Sequence, residues 1–169
     1  MKLKFCFIVL LIITGSLHAQ DEILKIGQPA PEISLPDLNG NTTTLSSLKG
    51  KLVLIDFWAT WCAPCVKEQP ELKAIYDKHR NQVKAEKFEI LGVSLDKSKE
   101  HWQKGVARFK INWLQLSDLK YWKSQVAKDY AITELPFNVL IDEQGKIIAI
   151  NLHGAALQNF INNYLSHQK

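Results

Sequence analysis

Apolar residues along the chain form two kinds of pattern. Short continuous apolar runs predict buried strands, and stretches with apolar residues every three or four positions predict helices that cover those strands. The strands are predicted at residues 51–58, 88–95, 113–116, 137–141 and 146–151. The helices are predicted at residues 63–78, from an N-cap at Ser98 to 109, from an N-cap at Asp118 to 130, and over a last stripe of Leu157, Phe160, Ile161, Tyr164 and Leu165.

Turn residues join these elements into one unit. Three prolines and the turn Asn39-Gly40-Asn41 before residue 51 predict an N-terminal β-hairpin rather than a linker. A second turn, residues 142–145, joins the last two strands as a hairpin. Strands that alternate with helices predict an α/β fold, in which a central mixed sheet is flanked by helices in a single domain.

The first residues follow the pattern of an export signal. Lys2 and Lys4 precede an apolar run at residues 5–13, and small or polar residues then lead to Ala19. The run is shorter than the roughly 20 residues that cross a bilayer, so we expect a signal peptide, residues 1–19, cleaved near Ala19. The folded domain is then residues 20–169, and its location is periplasmic or otherwise extracytoplasmic.

Charge excludes some partners. The chain has a formal net charge of +4, and without the leader 19 basic residues face 17 acidic ones. This near balance gives no electrostatic reason to expect nucleic acid or an anionic membrane as a partner. No flavin or nicotinamide motif is present, so no cofactor is expected.

Cysteine usage is the main chemical signal. Cys6 lies in the leader, so only Cys62 and Cys65 remain, as a redox pair or as half of a metal site. A zinc site needs further ligands, and the histidines are scattered. Covalent haem attachment needs histidine after the second cysteine, where Val66 stands. A purely structural disulfide is the other alternative, although its small loop would constrain the unfolded chain little.

The dithiol falls where a strand passes into a helix. There, free N–H groups and the positive end of the helix dipole stabilise a thiolate at Cys62, which we expect to be the attacking sulfur. Cys65, one turn later, should be less exposed and act as the resolving cysteine. Pro64 suits an early helical position, and Trp61 should form a wall beside the exposed sulfur.

The motif WCAPC after an apolar strand, followed by ELPFNVLID before a glycine turn, resembles the thioredoxin superfamily. The leader IGQPAPEISLPDLNGNTTTLSSLKGK is similar to that of exported TlpA/ResA-like thiol-disulfide oxidoreductases. The resemblance implies a thioredoxin-like core at residues 51–169, an N-terminal extension at 26–50 and a helix–strand insertion at about 96–117. It also implies a cis-proline at Pro136 that faces the dithiol, with the backbone of Leu135 pairing to the substrate.

By this resemblance the protein reduces disulfides of exported proteins through a Cys62–Cys65 disulfide and a mixed-disulfide intermediate, with cytochrome c maturation as one setting. Its electrons would come from a membrane thiol carrier, and it would be a monomer, since no dimerisation domain is present. A peroxiredoxin is one alternative, but it needs Thr or Ser three residues before its cysteine, where Cys62 has Ala59. A non-catalytic binding module is another, although such a module is expected to lose a cysteine or the proline.

Two acids are candidates for a catalytic role. Strand alternation places Asp56 on one face with Leu54 and Trp58, beneath the dithiol, where desolvation should raise its pKa and let it accept the proton of Cys65. The position resembles the buried aspartate of thioredoxins, whereas many TlpA/ResA-like proteins have asparagine there. The alternative is an Asp56 that reaches solvent at the strand end.

Glu68 matches an acidic position that influences the cysteine pair in ResA-like proteins, but a solvated first-turn glutamate is the open alternative. The remaining tryptophans, Trp58, Trp102, Trp113 and Trp122, are interpreted as packing residues. His153 and the lysines at 97–99 are interpreted as ordinary surface groups.

Overall fold

A computed structural model describes residues 24–167, so the predicted signal peptide lies outside the described residues. The chain begins with the predicted hairpin, in which β1 (Ser34–Pro36) pairs antiparallel with β2 (Thr42–Thr44). The carboxylate of Asp37 accepts hydrogen bonds from the backbone N–H groups of Asn39 and Asn41, each at 2.8 Å. These bonds fix the turn that the Asn-Gly-Asn sequence predicts.

The central sheet has five strands in the order β5-β4-β3-β6-β7. They are β3 (Leu52–Trp58), β4 (Phe88–Ser94), β5 (Leu114–Leu116), β6 (Phe137–Ile141) and β7 (Ile147–Ile150). Strands β4 and β5 run parallel to β3, whereas β6 and β7 belong to an antiparallel part of the sheet. Every residue of β3 is buried, as expected for a strand in the middle of a sheet covered on both faces.

In the described part of the chain, five α-helices accompany the sheet: α1 (Ala63–Lys78), α2 (Arg80–Lys84), α3 (Lys99–Arg108), α4 (Gln125–Asp129) and α5 (Gly154–His167). The bounds of α1 agree with the prediction, and Ser98 caps α3 by accepting the N–H of His101. Helix α2 was not predicted. No helix within residues 24–167 is long and apolar enough to cross a membrane.

The helix predicted from Asp118 to residue 130 is wrong in its first part, and only Gln125–Asp129 is α-helical. Asp118 accepts the N–H of Lys120 in a local turn, and Leu119 and Tyr121 have left-handed φ angles of 57° and 58°. Such angles stop a right-handed helix, because its residues need negative φ. The segment therefore forms a single 3₁₀ turn, Tyr121–Lys123, before the short helix α4 begins.

The N-terminal extension contacts both outer strands of the sheet. On one side, Pro29 bridges Lys146, and the N–H of Ile147 at the start of β7 donates to the carbonyl of Gln28 at 2.9 Å. On the other side, Asp37 bridges Leu116 in β5. The extension is therefore joined to the sheet by backbone hydrogen bonds at both edges.

Candidate active site

The two cysteines lie where the chain leaves β3 and enters α1. Cys62 is the N-cap of α1, and its sulfur accepts the N–H of Cys65 at 3.2 Å. The two sulfurs are bonded at 2.06 Å, with Pro64 in the first helical turn. Because the Cys62 sulfur receives a backbone N–H at the positive end of the helix, this position favours a thiolate once the disulfide is reduced.

The two cysteines differ in access to solvent. Cys62 is 5% exposed and Cys65 is 1% exposed, which is the order expected of an attacking and a resolving sulfur. Cys62 is therefore more buried than the exposed sulfur that the sequence analysis predicted. A substrate disulfide must therefore approach from the Cys62 side.

An aromatic patch, which consists of Trp61, Tyr121 and Trp122, lies beside Cys62. The ring of Trp61 is exposed, and its centroid is 5.0 Å from that of Tyr121 and 6.1 Å from that of Trp122. The Lys97 ammonium lies 4.4 Å above the Tyr121 ring. Lys97 is exposed, as expected of a surface group, and this cation–π contact joins it to the patch.

The residues between β3 and Cys62 are anchored by a buried carboxylate. Asp96 accepts hydrogen bonds from the N–H of Thr60 at 3.1 Å, the Thr60 hydroxyl at 2.6 Å and the Ser94 hydroxyl at 2.8 Å. Helix α3 also approaches this loop, because a Cβ at Gly105 would lie 2.5 Å from Cγ2 of Thr60. The segment that presents Cys62 is thus fixed from two sides.

The segment before β6 has the backbone geometry that the family resemblance implied. The Leu135–Pro136 peptide bond is cis, and both residues are half-buried. Strand β6 follows directly and pairs with β3, with Phe137 opposite Phe57 near the end of β3 that leads to the dithiol. The cis-proline segment therefore reaches the same end of the sheet as the cysteines.

Asp56 is buried in the middle of the sheet, at 2% exposure, so the alternative of a solvated carboxylate is wrong. Its neighbours in register are Gly92 on β4 and Asn138 on β6. Desolvation, reinforced by the negative charge of Glu68, raises the pKa of Asp56 to about 8, and a hydrogen bond from Gln69 only partly offsets this. Asp56 can therefore take up and release a proton near neutral pH.

The helical spacing connects Asp56 with the resolving cysteine. Gln69, which contacts Asp56, is one turn after Cys65, and both residues are buried. Residues four apart lie on one face of a helix. The face of α1 that packs over Asp56 is therefore the face that carries Cys65.

Glu68 is not a solvated glutamate, because its side chain is 10% exposed and its Oε1 lies 2.7 Å from Nδ1 of His153. The interpretation of His153 as an ordinary surface group was therefore wrong. His153 follows β7, and its other ring nitrogen lies 2.9 Å from Oδ1 of Asn151. Sequence reasoning missed this pair because the two residues are 85 positions apart.

Gln69 and Asn138 were also missed by the sequence analysis. Both are buried amides next to Asp56, one on α1 and the other on β6. No local sequence signal distinguishes them from surface amides. Within residues 24–167, no group of three or more His, Cys, Asp or Glu side chains is arranged to hold a metal ion.

Comparison with known proteins agrees with this geometry. The model of the AhpC/TSA family matches residues 26–150. A thiol-disulfide oxidoreductase named ResA from Bacillus cereus is 30% identical over 97% of this chain and 95% of its own length, and ResA from Bacillus subtilis is 32% identical over 91% and 82%. The thioredoxin domain of a thiol-disulfide oxidoreductase from Bacteroides vulgatus superposes with a TM-score of 0.76, at 37% identity, over 83% of this chain and 98% of that domain.

Proposed function

The chain belongs to the AhpC/TSA family of thioredoxin-fold proteins and is a thiol-disulfide oxidoreductase, and from this premise we propose that it reduces disulfide bonds of exported proteins. The observation that supports this direction most is the buried Asp56 beneath a dithiol whose Cys62 caps a helix. A reductase needs an activated thiolate to open a substrate disulfide and a proton acceptor to activate the second thiol.

In the first step, the reduced protein attacks a substrate disulfide with the Cys62 thiolate. A bond forms between the Cys62 sulfur and one substrate sulfur, and the disulfide bond of the substrate breaks. The second substrate sulfur leaves as a thiolate and takes a proton from solvent. The product is a mixed disulfide between the protein and its substrate.

In the second step, Cys65 resolves the mixed disulfide. Its thiol transfers a proton to the Asp56 carboxylate, and the resulting thiolate attacks the Cys62 sulfur. The bond between Cys62 and the substrate breaks, and the second substrate sulfur leaves as a thiolate that takes a proton from solvent. Two electrons have moved from the Cys62–Cys65 dithiol to the substrate, and the protein is left with the disulfide present in the structure.

Around Cys62, we assign substrate contacts to four residues. The exposed ring of Trp61 and the exposed Pro64 border the sulfur, and the cis-proline segment, Leu135 and Pro136, offers backbone groups to an extended substrate chain. The aromatic patch extends this surface from Trp61 to Trp122. Apolar contact along the patch would hold a polypeptide while its disulfide is exchanged.

Trp122→Ala should weaken the reduction of protein disulfides without changing the reactivity of Cys62. We expect KM for a protein disulfide to rise about fivefold to tenfold, which corresponds to the loss of one aromatic contact. The rate with oxidised glutathione should stay the same, because a small disulfide does not reach Trp122. Steady-state assays with both substrates test this, and Phe160→Ala, a half-buried aromatic on α5, is the matched control. An equal loss with both substrates would contradict the assignment.

The location and electron source extend the same proposal. Lys2 and Lys4, followed by an apolar run, support export and cleavage near Ala19, so the protein would act outside the cytoplasm. It would act there as a monomer. Disulfides of exported proteins, including those of the cytochrome c maturation system, would be its substrates. Its own disulfide would be reduced by a membrane thiol carrier, since the sequence contains no flavin or nicotinamide motif that could supply electrons.

The reduction potential tests the direction of transfer. Equilibration of the Cys62–Cys65 pair with glutathione should give a potential below about −200 mV, in the range of reducing proteins of this fold rather than near the roughly −120 mV of a strong oxidant. A potential near the second value would assign the protein to disulfide formation. Consumption of peroxide with a thiol donor, measured in parallel, would instead identify a peroxidase.

A further inference from the structure

One polar cluster at the protein surface has no place in the two steps above. It consists of Glu68, His153 and Asn151. Both ring nitrogens of His153 are held, Nδ1 at 2.7 Å from Oε1 of Glu68 and Nε2 at 2.9 Å from Oδ1 of Asn151. A histidine with two partners has a fixed ring orientation, and a protonated His153 forms an ion pair with Glu68.

The backbone next to His153 is fixed by a residue that neighbours Asp56. Asn138, which lies opposite Asp56 in the sheet, donates to the carbonyl of Leu152 at 2.6 Å and accepts the N–H of Leu152 at 3.1 Å. Leu152 immediately precedes His153. The strand next to Asp56 therefore sets the position of the histidine that binds Glu68.

The exposed fraction increases from Asp56 through Glu68 to His153. Asp56 is 2% exposed, the Glu68 side chain 10% and the His153 side chain 35%. Glu68 also lines a surface groove between α1 and α5, together with Glu71 and Gly154. Glu68 precedes Gln69, the residue that contacts Asp56, and its negative charge acts on Asp56.

We propose that His153 is a positioning residue that holds Glu68 beside Asp56 and thereby controls how readily Asp56 releases the proton it accepts from Cys65. This inference rests on the proposed resolution step. It assigns to His153 an effect on the reaction without contact with the sulfurs.

The physical reason is the balance of charge around Asp56. Glu68 opposes ionisation of Asp56, since two carboxylates repel each other in a medium that screens poorly. A protonated His153 cancels part of that repulsion. The groove beside Glu68 is also lined by Glu71 on α1 and by the uncharged Gly154 and Gln158 on α5. Asn138 on β6 and Gly92 on β4, the register neighbours of Asp56, are uncharged too.

His153→Asn tests the proposal, because asparagine keeps a donor near the Nδ1 position but cannot ionise. Carboxyl NMR of the disulfide form, in which the cysteines do not titrate, reports the Asp56 midpoint directly. We expect this midpoint to rise by about one pH unit, which lowers the ionised fraction about tenfold below the midpoint. Resolution of a mixed disulfide at pH 7 should slow by a similar factor.

Glu68→Gln provides the second arm, because it removes the repelling charge and should lower the Asp56 midpoint. In that background, His153→Asn should have no further effect, whereas a merely structural role of His153 would persist. His101→Asn, an exposed histidine on α3, is the control and should leave the midpoint unchanged.

An unchanged Asp56 midpoint in His153→Asn, or in Glu68→Gln if the first variant does not fold, would overturn the proposal. An equal shift with and without Glu68 would also overturn it. The titration needs no substrate, so its outcome is separate from the proposed function. Loss of protein-disulfide reduction by the wild type would disprove the function, whereas an insensitive midpoint would disprove only the role of His153.

Discussion

Cys65→Ser should turn the protein into a trap for its substrates. Cys62 still attacks a disulfide, but no second sulfur is present to release the product, so mixed disulfides accumulate on Cys62 and turnover falls to background. The effect should be visible as high-mass species on non-reducing gels that disappear on reduction. Mass spectrometry of these species would identify the natural substrates.

Cys62→Ser is the matched variant. It removes the more exposed sulfur at the helix N-cap, so neither mixed disulfides nor turnover should be observed. Both variants lack the disulfide, and a difference between them therefore reports the roles of the sulfurs rather than the loss of a cross-link. Normal turnover by Cys65→Ser, or trapping by Cys62→Ser, would reverse the assignment of attacking and resolving cysteines.

Asp56→Asn should slow the second chemical step and stabilise the fold. Without the carboxylate, Cys65 loses its proton acceptor, so we expect resolution near neutral pH to slow about 10- to 100-fold, while the attack by Cys62 stays nearly unchanged. Single-turnover kinetics that follow formation and decay of the mixed disulfide separate the two steps. An equal slowing of both steps would place Asp56 in a different role.

The stability effect follows from the raised pKa. The Asp56 pKa is 3.8 in the unfolded reference and about 8 in the folded protein, so between these values only the unfolded state is ionised. Unfolding then releases a proton, and the free energy of unfolding falls as pH rises from about 4 to about 8 and levels off above. Asparagine has no such penalty. Asp56→Asn should therefore be near neutral at pH 4 and stabilising by about 1 to 3 kcal/mol at pH 9.

Asp96→Asn is the control for this measurement. Asp96 is as buried as Asp56, but its oxygens accept three hydrogen bonds from Thr60 and Ser94. The NH₂ group of an asparagine would face the N–H and O–H groups that now donate to the carboxylate. The lost hydrogen bonds should lower the free energy of unfolding by about 1 to 3 kcal/mol. The same substitution should therefore stabilise at one buried aspartate and destabilise at the other. Denaturation of the disulfide form at pH 4 and pH 9 gives both values, and equal differences for Asp56→Asn at the two pH values would contradict its burial.

The elements predicted from sequence were those with strong local signals. Helix α1 has a cysteine cap, an early proline and a long stripe, and its bounds were predicted as observed. The N-terminal hairpin followed from its Asn-Gly-Asn turn. The prediction for the segment after Asp118 failed because its residue pattern is compatible with a helix. In the structure, Leu119 and Tyr121 have left-handed φ angles, and the rings of Tyr121 and Trp122 contact Trp61. Tertiary contacts can override local helix propensity in this way.

The site divides in the same way. Strand alternation correctly predicted a buried Asp56, because a fully buried strand leaves a carboxylate no path to solvent. Contacts of long sequence separation could not be predicted, and Glu68 with His153 is the clearest case. Roles that depend on such contacts, as in the charge balance at Asp56, become visible only when the fold brings distant residues together.

The extension that bridges β5 and β7 bears on aggregation. Outer strands of a sheet present unpaired N–H and C=O groups, which can recruit a strand from another chain. Here the bridges at Lys146 and Leu116, with the hydrogen bond that the N–H of Ile147 donates to the Gln28 carbonyl, occupy part of both edges. Under the proposed function, a substrate protein brings an extended segment around its disulfide close to this sheet. Its occupied edges limit pairing with such segments, so that capture of a substrate depends on the surface around Cys62 and not on the rim of the sheet.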